Sequence, residues 1–130
     1  MVLEHIQVSG FRNISQASVE FSPKTNVLVG DNAQGKTNLV EAVYLMAGGK
    51  SFRVSKFREM IRQGEETARI QLQISGEGLP FALSMQLNRK EGKEIKKNGV
   101  RLTKLSDFLG LFRAVLFCPE HLSLVKDCVY

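Results

Sequence analysis

The residues best suited to chemistry lie in one short run, Gly30-Asp31-Asn32-Ala33-Gln34-Gly35-Lys36-Thr37, which fits the pattern G-x-x-x-x-G-K-[ST]. A chance match in a chain of this length is expected at about half a per cent. The two glycines let the backbone curl so that successive N–H groups point at an anion. Lys36 can then reach the β- and γ-phosphates, and the Thr37 hydroxyl can coordinate Mg²⁺. The pattern predicts binding of a nucleoside triphosphate, and its alternative is a glycine-rich turn without a ligand.

Two elements must position this run. Val27–Val29 is continuously apolar, which predicts a central strand covered on both faces and leading into the loop. From Gly35 to Ala47 little polar surface remains, so a largely buried helix is expected to begin near Lys36. A helix that starts there adds its unpaired N–H groups and its dipole to the anion site.

The rest of the chain predicts a single α/β domain over residues 1–130 with a strong antiparallel, α+β-like component. Alternating apolar and polar residues predict strands at Val2–Val8, Ala17–Phe21, Ala68–Ile74 and Phe81–Leu87. Asn98-Gly99 favours a type I′ turn between Glu94–Lys97 and Val100–Leu102. Further elements are expected at Thr103–Leu111 (short helix), Ala114–Phe117 (short buried strand) and Pro119–Lys126 (helix).

Composition removes several classes of protein. The chain has 130 residues, 43% hydrophobic and 24% charged, as soluble globular domains do. It contains no apolar run of the roughly 20 residues that cross a bilayer and no secretory signal, so no membrane partner is expected. Two cysteines and two distant histidines supply neither a disulfide framework nor a zinc site. The cytoplasm is the expected compartment.

The net charge of +5 is concentrated in the middle of the chain, where residues 46–105 hold 13 basic and 6 acidic side chains. The densest group, called the basic cluster here, is predicted to contact DNA phosphates, and its alternative is a solvated face. It consists of Lys50, Arg53, Lys56, Arg58 and Arg62. A second group is interpreted as protecting an exposed sheet edge. It consists of Arg89, Lys90, Lys93, Lys96 and Lys97.

Half of a hydrolytic site is missing from the sequence. Hydrolysis needs an acidic residue at the end of an apolar strand to hold Mg²⁺, yet none of Asp31, Asp107 and Asp127 follows such a run. Two rival functions stay open at this point: a phosphate-loop kinase, and a DNA-binding module with a vestigial loop. The predicted antiparallel hairpins count against the kinase, because such kinases use mainly parallel sheets.

Four blocks of the sequence resemble the RecF family, bacterial recombination-mediator ATPases related to structural-maintenance-of-chromosomes heads. These blocks are Gly10–Asn13, Gly30–Tyr44, Gly49–Arg53 and Val115–Leu122. The resemblance implies a P-loop NTPase fold, specifically the amino-terminal lobe (lobe I) of an ABC-type ATPase head with a mixed sheet and antiparallel hairpins. It implies ATP and Mg²⁺ as cofactors. Because the signature motif and the acidic strand end are absent, the isolated chain is expected to be inactive as an ATPase.

The resemblance also implies roles for single residues and for partners. Arg12 and Asn38 would lie near the nucleotide, with a surface arginine as the alternative for Arg12. Glu120 would belong to a loop that senses the γ-phosphate, or is simply a carboxylate in the first turn of a helix. Asp127–Tyr130 departs from the family pattern. The implied partners are duplex DNA and junctions of single- and double-stranded DNA, a second head joined through ATP, and other recombination mediators.

Overall fold

The computed structural model describes residues 1–29, 33–48, 50, 56–76 and 78–117. Six strands and two helices are found in this part of the chain, and a 3₁₀ turn spans Phe57–Met60. In chain order the elements are β1 (Val2–Phe11), β2 (Ile14–Glu20), α1 (Ala33–Gly48), β3 (Thr67–Ser75), β4 (Phe81–Asn88), β5 (Gly92–Lys97), β6 (Val100–Leu102) and α2 (Leu105–Phe108).

The six strands form one sheet in the order β2-β1-β3-β4-β5-β6, and every pairing is antiparallel. The strands predicted from alternation are confirmed, with β1 three residues longer than expected and with β2 beginning three residues earlier and ending one residue earlier. The tight turn is confirmed as well, because Asn98 and Gly99 both have positive φ, 52° and 83°, as a type I′ turn requires. A sheet of this kind does not support the kinase alternative.

The core lies between one face of the sheet and α1. In β3 the buried residues alternate strictly with exposed ones, so Ile70 and Leu72 face the helix while Gln71 faces water. From the helix side, Ala42 and Leu45 fill the same core and are fully buried. The helix is therefore fixed against the sheet by apolar packing.

Two predicted strands are wrong. Val27–Val29 is not a strand, and Val27 and Val29 are 75% and 82% exposed instead of buried. Ala114–Phe117 is likewise outside any strand, and Val115 is 97% exposed. An apolar run becomes a buried strand only where a neighbouring strand pairs with it, and neither segment has such a neighbour among the described residues.

The helices differ from the prediction mainly at their ends. The structure begins α1 at Ala33 and ends it at Gly48, so the helix starts about three residues before Lys36. The helix expected over Thr103–Leu111 is confined to α2. The helix expected over Pro119–Lys126 lies outside the described residues. In the described part of the chain, no helix is long and apolar enough to cross a membrane.

Candidate functional site

The described part of the predicted phosphate-binding run lies at the start of α1. The helix takes in Ala33 to Thr37, of which Gly35 is exposed and both Lys36 and Thr37 are half-buried. The first four N–H groups of any α-helix lack partners within it, and they attract anions. Gly30, Asp31 and Asn32 lie outside the described residues, as do the side chains of Ala33 and Gln34. The structure thus places Lys36 and Thr37 in the first turns of α1.

Arg12 is held next to this helix by a buried carboxylate. Its Nε and Nη2 donate to Oε1 and Oε2 of Glu41 at 2.8 and 2.9 Å, a bidentate pair. The Glu41 side chain is fully buried, whereas that of Arg12 keeps 21% of its surface exposed. Glu41 follows Thr37 by four residues, so the guanidinium lies about one helical turn beyond the phosphate-binding end.

Asn38 makes a second contact between the same two elements. Its amide nitrogen donates to Oδ1 of Asn13 at 2.6 Å, and the Asn38 side chain is buried. Asn13 and Arg12 both belong to the turn between β1 and β2. The two residues that the sequence placed near the nucleotide, Arg12 and Asn38, are therefore brought to one place, the junction of this turn with α1.

The backbone is strained in the β1–β2 turn and crowded near the end of β1. Arg12 adopts φ 54°, a left-handed conformation that is unusual for a residue with a side chain. Gly10 has φ 63°, and a Cβ built on it would lie 2.5 Å from the carbonyl oxygen of Thr67, so only glycine fits. Strain of this kind persists only where the surroundings hold it in place.

One member of the basic cluster, Arg62, contacts the same turn. Arg62 donates from Nη1 to the carbonyl oxygen of Asn13 at 2.7 Å, and its backbone N–H donates to Gly10 at 2.8 Å. The backbone N–H of Arg12 donates in turn to the carbonyl of Met60 at 2.8 Å. The β1–β2 turn thus contacts α1 with its side chains and the segment around Arg62 with its backbone.

The other described members of the basic cluster make fewer contacts with the fold than Arg62 does. Lys50, Lys56 and Arg58 are exposed, and the Arg58 guanidinium lies 5.6 Å from the centre of the Phe57 ring. Arg53 lies outside the described residues. The structure brings Arg58 and Arg62 onto one segment but records no contact of Lys50 or Lys56 with the β1–β2 turn.

Sequence analysis missed Glu41 and Asn13 as contributors to the site. A signal for Glu41 was present, because it is the only charged residue between Asn38 and Ala47 in an otherwise apolar helix. A buried carboxylate requires a cation or several hydrogen bonds. The identity of that cation depends on a contact between residues 29 positions apart, which no local pattern specifies.

Two features remain: possible metal ligands, and the predicted residues near the C-terminus. In residues 1–29, 33–48, 50, 56–76 and 78–117, no group of three or more His, Cys, Asp or Glu side chains is arranged to hold a metal ion. Glu120 and Asp127–Tyr130 lie outside the described residues, so the two interpretations of Glu120 are not distinguished.

Comparison with known sequences gives consistent matches across the chain. The family model described as the RecF/RecN/SMC N terminal domain matches residues 2–124. Two proteins named DNA replication and repair protein RecF are similar to this chain. The one from Lachnoclostridium phytofermentans is 41% identical over 127 residues, and the one from Bacillus cereus is 40% identical over 126 residues. These matches cover 98% and 97% of this chain but only 35% and 33% of the relatives. The chain therefore spans about a third of their length.

Solved structures give the same answer for the fold. A structure of the recombination mediator protein RecF with ATP matches with a TM-score of 0.86 and 35% identity, over 95% of this chain and 34% of that one. A structure from work on ATP-driven dimerization of SMC ATPases matches with a TM-score of 0.80, over 97% of this chain and 92% of that one. At 17% identity the second match shows the fold alone. The fold is that of the P-loop ATPase heads of RecF and SMC proteins.

Proposed function

The chain belongs to the RecF/RecN/SMC N-terminal domain family, and on that premise we propose that it is the ATP-binding lobe of a cytoplasmic, RecF-type DNA repair and replication protein whose nucleotide controls its binding to DNA. One observation carries the proposal: the β1–β2 turn contacts both α1, at Glu41 and Asn38, and the basic cluster, at Arg62. A nucleotide at the start of α1 and a polyanion on the basic cluster would both bear on the same turn.

The nucleotide would bind through its phosphates at Gly30 to Thr37. The N–H groups of the loop and of the first turn of α1 would surround the phosphate oxygens, with Lys36 as their charged partner. A hydroxyl oxygen is a hard ligand of the kind Mg²⁺ takes together with phosphate oxygens and water, so the Thr37 side chain fits the ion. When bound, Mg²⁺ would neutralise phosphate charge; Arg12 and Asn38 would act nearby, in positions fixed by Glu41 and Asn13.

DNA would bind through its phosphates at the basic cluster. Contacts of this kind give affinity without reading sequence, as is appropriate for a protein acting at gaps and junctions wherever they arise. Two of the relatives compared above carry the name DNA replication and repair protein RecF, and the matched ATP-bound structure is placed in the RecFOR pathway. Recombination mediators and a second head joined through ATP are the partners proposed for the longer protein, in which these residues form lobe I.

Salt dependence of duplex binding tests the DNA half of this proposal. Affinity of a fluorescently labelled duplex is measured by anisotropy between 50 and 200 mM salt, and each lost phosphate contact lowers the log–log slope by about 0.9. The double variant Arg53→Ala/Arg58→Ala is expected to lose about 1.8 from the slope. Lys24→Ala/Lys104→Ala removes the same charge from exposed positions outside the basic cluster and should leave the slope unchanged. Equal slopes in all three proteins would contradict the proposed DNA contacts.

Addition of ATP with Mg²⁺ tests the control by nucleotide. Duplex affinity is expected to change on addition of ATP in the original chain and to stay constant in Lys36→Ala. An affinity that ignores ATP in both proteins would contradict the coupling while leaving each binding site open to separate measurement.

A further inference from the structure

Two basic groups that are distant in the sequence meet in the fold. Arg58 donates from Nε to the carbonyl oxygen of Arg89 at 3.1 Å, which joins the basic cluster to the turn between β4 and β5. The Arg89 guanidinium donates in the opposite direction, to the carbonyl oxygens of Glu65 at 2.7 Å, Arg62 at 3.2 Å and Ile61 at 3.3 Å. This turn, residues 88–93, is called the hairpin turn here.

Hydrogen bonds fix the shape of the hairpin turn, and its basic residues differ in what they contact. Asn88 accepts through Oδ1 from the backbone N–H groups of Lys90 at 2.8 Å and Glu91 at 2.9 Å, a local hydrogen-bonded turn. Arg89 uses its guanidinium as a clamp on carbonyl groups, so it is a structural residue. Lys90 is exposed at the tip of the turn, where its ammonium group faces solvent.

Lys93 lies on the same side of the sheet as the basic cluster. Successive side chains of a strand alternate between faces, so Lys93 shares the face of Ile95, which is buried in the core. Partial burial lowers the pKa of Lys93 below its usual value, and the positive charge of Lys50 lowers it further. The fold thus brings a cation that follows α1 close to a cation of β5, at a cost that like charges always impose.

Protection of an exposed sheet edge does not account for the whole second basic group, which runs from Arg89 to Lys97. The sheet ends in β6, which pairs with Ile95 to Lys97, so Lys96 and Lys97 lie on an interior part of β5 and the sequence interpretation is wrong for them. Lys96 also faces the other side of the sheet, where it pairs with Glu94 at 3.3 Å. Only the start of β5, which carries Lys93, extends beyond β6.

We propose that the hairpin turn and the described part of the basic cluster (Lys50, Lys56, Arg58 and Arg62) form one surface that binds the phosphates of duplex DNA, with Lys90 and Lys93 as contacts that the sequence did not assign. Residues 50, 56–66 and 88–93 carry seven Lys or Arg against four Glu. The cations are spread over two elements rather than converging on one point, which suits the repeated charges of a duplex better than a single small anion. This inference rests on the proposed function and extends its DNA site to a second element.

The test compares two double variants of the 130-residue chain in the salt titration of a labelled duplex. Lys90→Ala/Lys93→Ala is expected to lower the log–log slope by about 1.8. The matched control is Lys96→Ala/Arg101→Ala, which removes the same charge from neighbouring residues paired on the opposite face, and it should leave the slope unchanged. Lys90 and Lys93 are both exposed, so their replacement opens no cavity in the core, and a thermal scan verifies that the variant folds.

Lysine modification gives an independent readout. Reductive methylation is carried out with and without the duplex, and mass spectrometry follows each lysine. Lys90 and Lys93 are expected to be protected by DNA, whereas Lys96 should react equally in both samples. Protection of Lys96 alone would place the duplex on the other face of the sheet and overturn the proposal.

The outcomes separate this proposal from the proposed function. An unchanged slope in Lys90→Ala/Lys93→Ala, with a lowered slope in Arg53→Ala/Arg58→Ala, overturns the extended surface and leaves the proposed function standing. Self-association of the Lys90→Ala/Lys93→Ala chain without a change of slope assigns these lysines to edge protection. An equal loss in the control variant assigns the effect to net charge. Failure of the original chain to bind the duplex at low salt contradicts the proposed function itself.

Discussion

At the scale of single residues, the pair of Arg12 and Glu41 connects the sequence prediction with the structure. Arg12 was expected near the nucleotide, and its guanidinium donates two hydrogen bonds to the Glu41 carboxylate of α1. The pair is asymmetric, since Glu41 is fully buried while Arg12 reaches water. Glu41 is therefore best described as a positioning residue, and the approach of Arg12 to ATP stays a prediction.

Because of this asymmetry, we expect replacement of Arg12 to lower the free energy of unfolding more than replacement of Glu41 does. Arg12→Ala leaves a buried carboxylate without its guanidinium and is expected to lower the free energy of unfolding by about 3–5 kcal/mol. Glu41→Gln leaves an arginine that can turn to water, with an expected loss of about 1–3 kcal/mol. Urea denaturation measures both. Arg12→Gly serves as the control for backbone strain, because glycine accepts φ 54° and should recover about 1 kcal/mol relative to Arg12→Ala. A larger loss for Glu41→Gln than for Arg12→Ala would contradict the account.

At the scale of elements, local patterns were sufficient wherever a strand pairs with its neighbour in sequence. Alternation specified β3 and β4, and Asn98-Gly99 specified the turn from β5 to β6, because in each case the partner lies a few residues away. The antiparallel pairing of β1 with β3 joins strands about sixty residues apart, and only the structure shows it.

The failed strand predictions have the same physical origin. Val27–Val29 and Ala114–Phe117 are apolar enough to be buried, but apolar character does not state which surface will cover them. The contact of Arg58 with the hairpin turn is equally invisible to sequence, because it joins residues 31 positions apart. Residue types and local periodicity thus identified most strands, and they predict an anion-binding run. The Arg12–Glu41 pair and the merged basic surface required the tertiary structure.

At the scale of the whole molecule, one antiparallel sheet positions the three groups of residues on which the proposals rest. Its covered face carries α1 with Lys36 and Thr37, its first turn carries Arg12, and Arg62 of the basic cluster is hydrogen-bonded to that turn. The chain spans about a third of the length of the relatives it matches.

The expected consequence is binding without turnover. None of the three aspartates ends an apolar strand and the signature motif is absent from the sequence, so neither Mg²⁺ nor the attacking water would be organised for hydrolysis. Phosphate release by the 130-residue chain is expected to equal that of Lys36→Ala, measured in preparations purified side by side. A steady-state rate clearly above that of Lys36→Ala would show that the chain supplies the missing groups by another route.

The most direct test of the account is an ATP titration of the original chain and of Lys36→Ala. Lys36 is half-buried in the first turns of α1, so its replacement removes a charged partner of the phosphates without opening a cavity in the core. A fluorescent ATP analogue should saturate the original chain and bind Lys36→Ala roughly tenfold or more weakly, while the two melting curves coincide and Lys24→Ala behaves as the original. Equal affinity of the two chains for the analogue, with both folded, would contradict the assignment of this run as the nucleotide site.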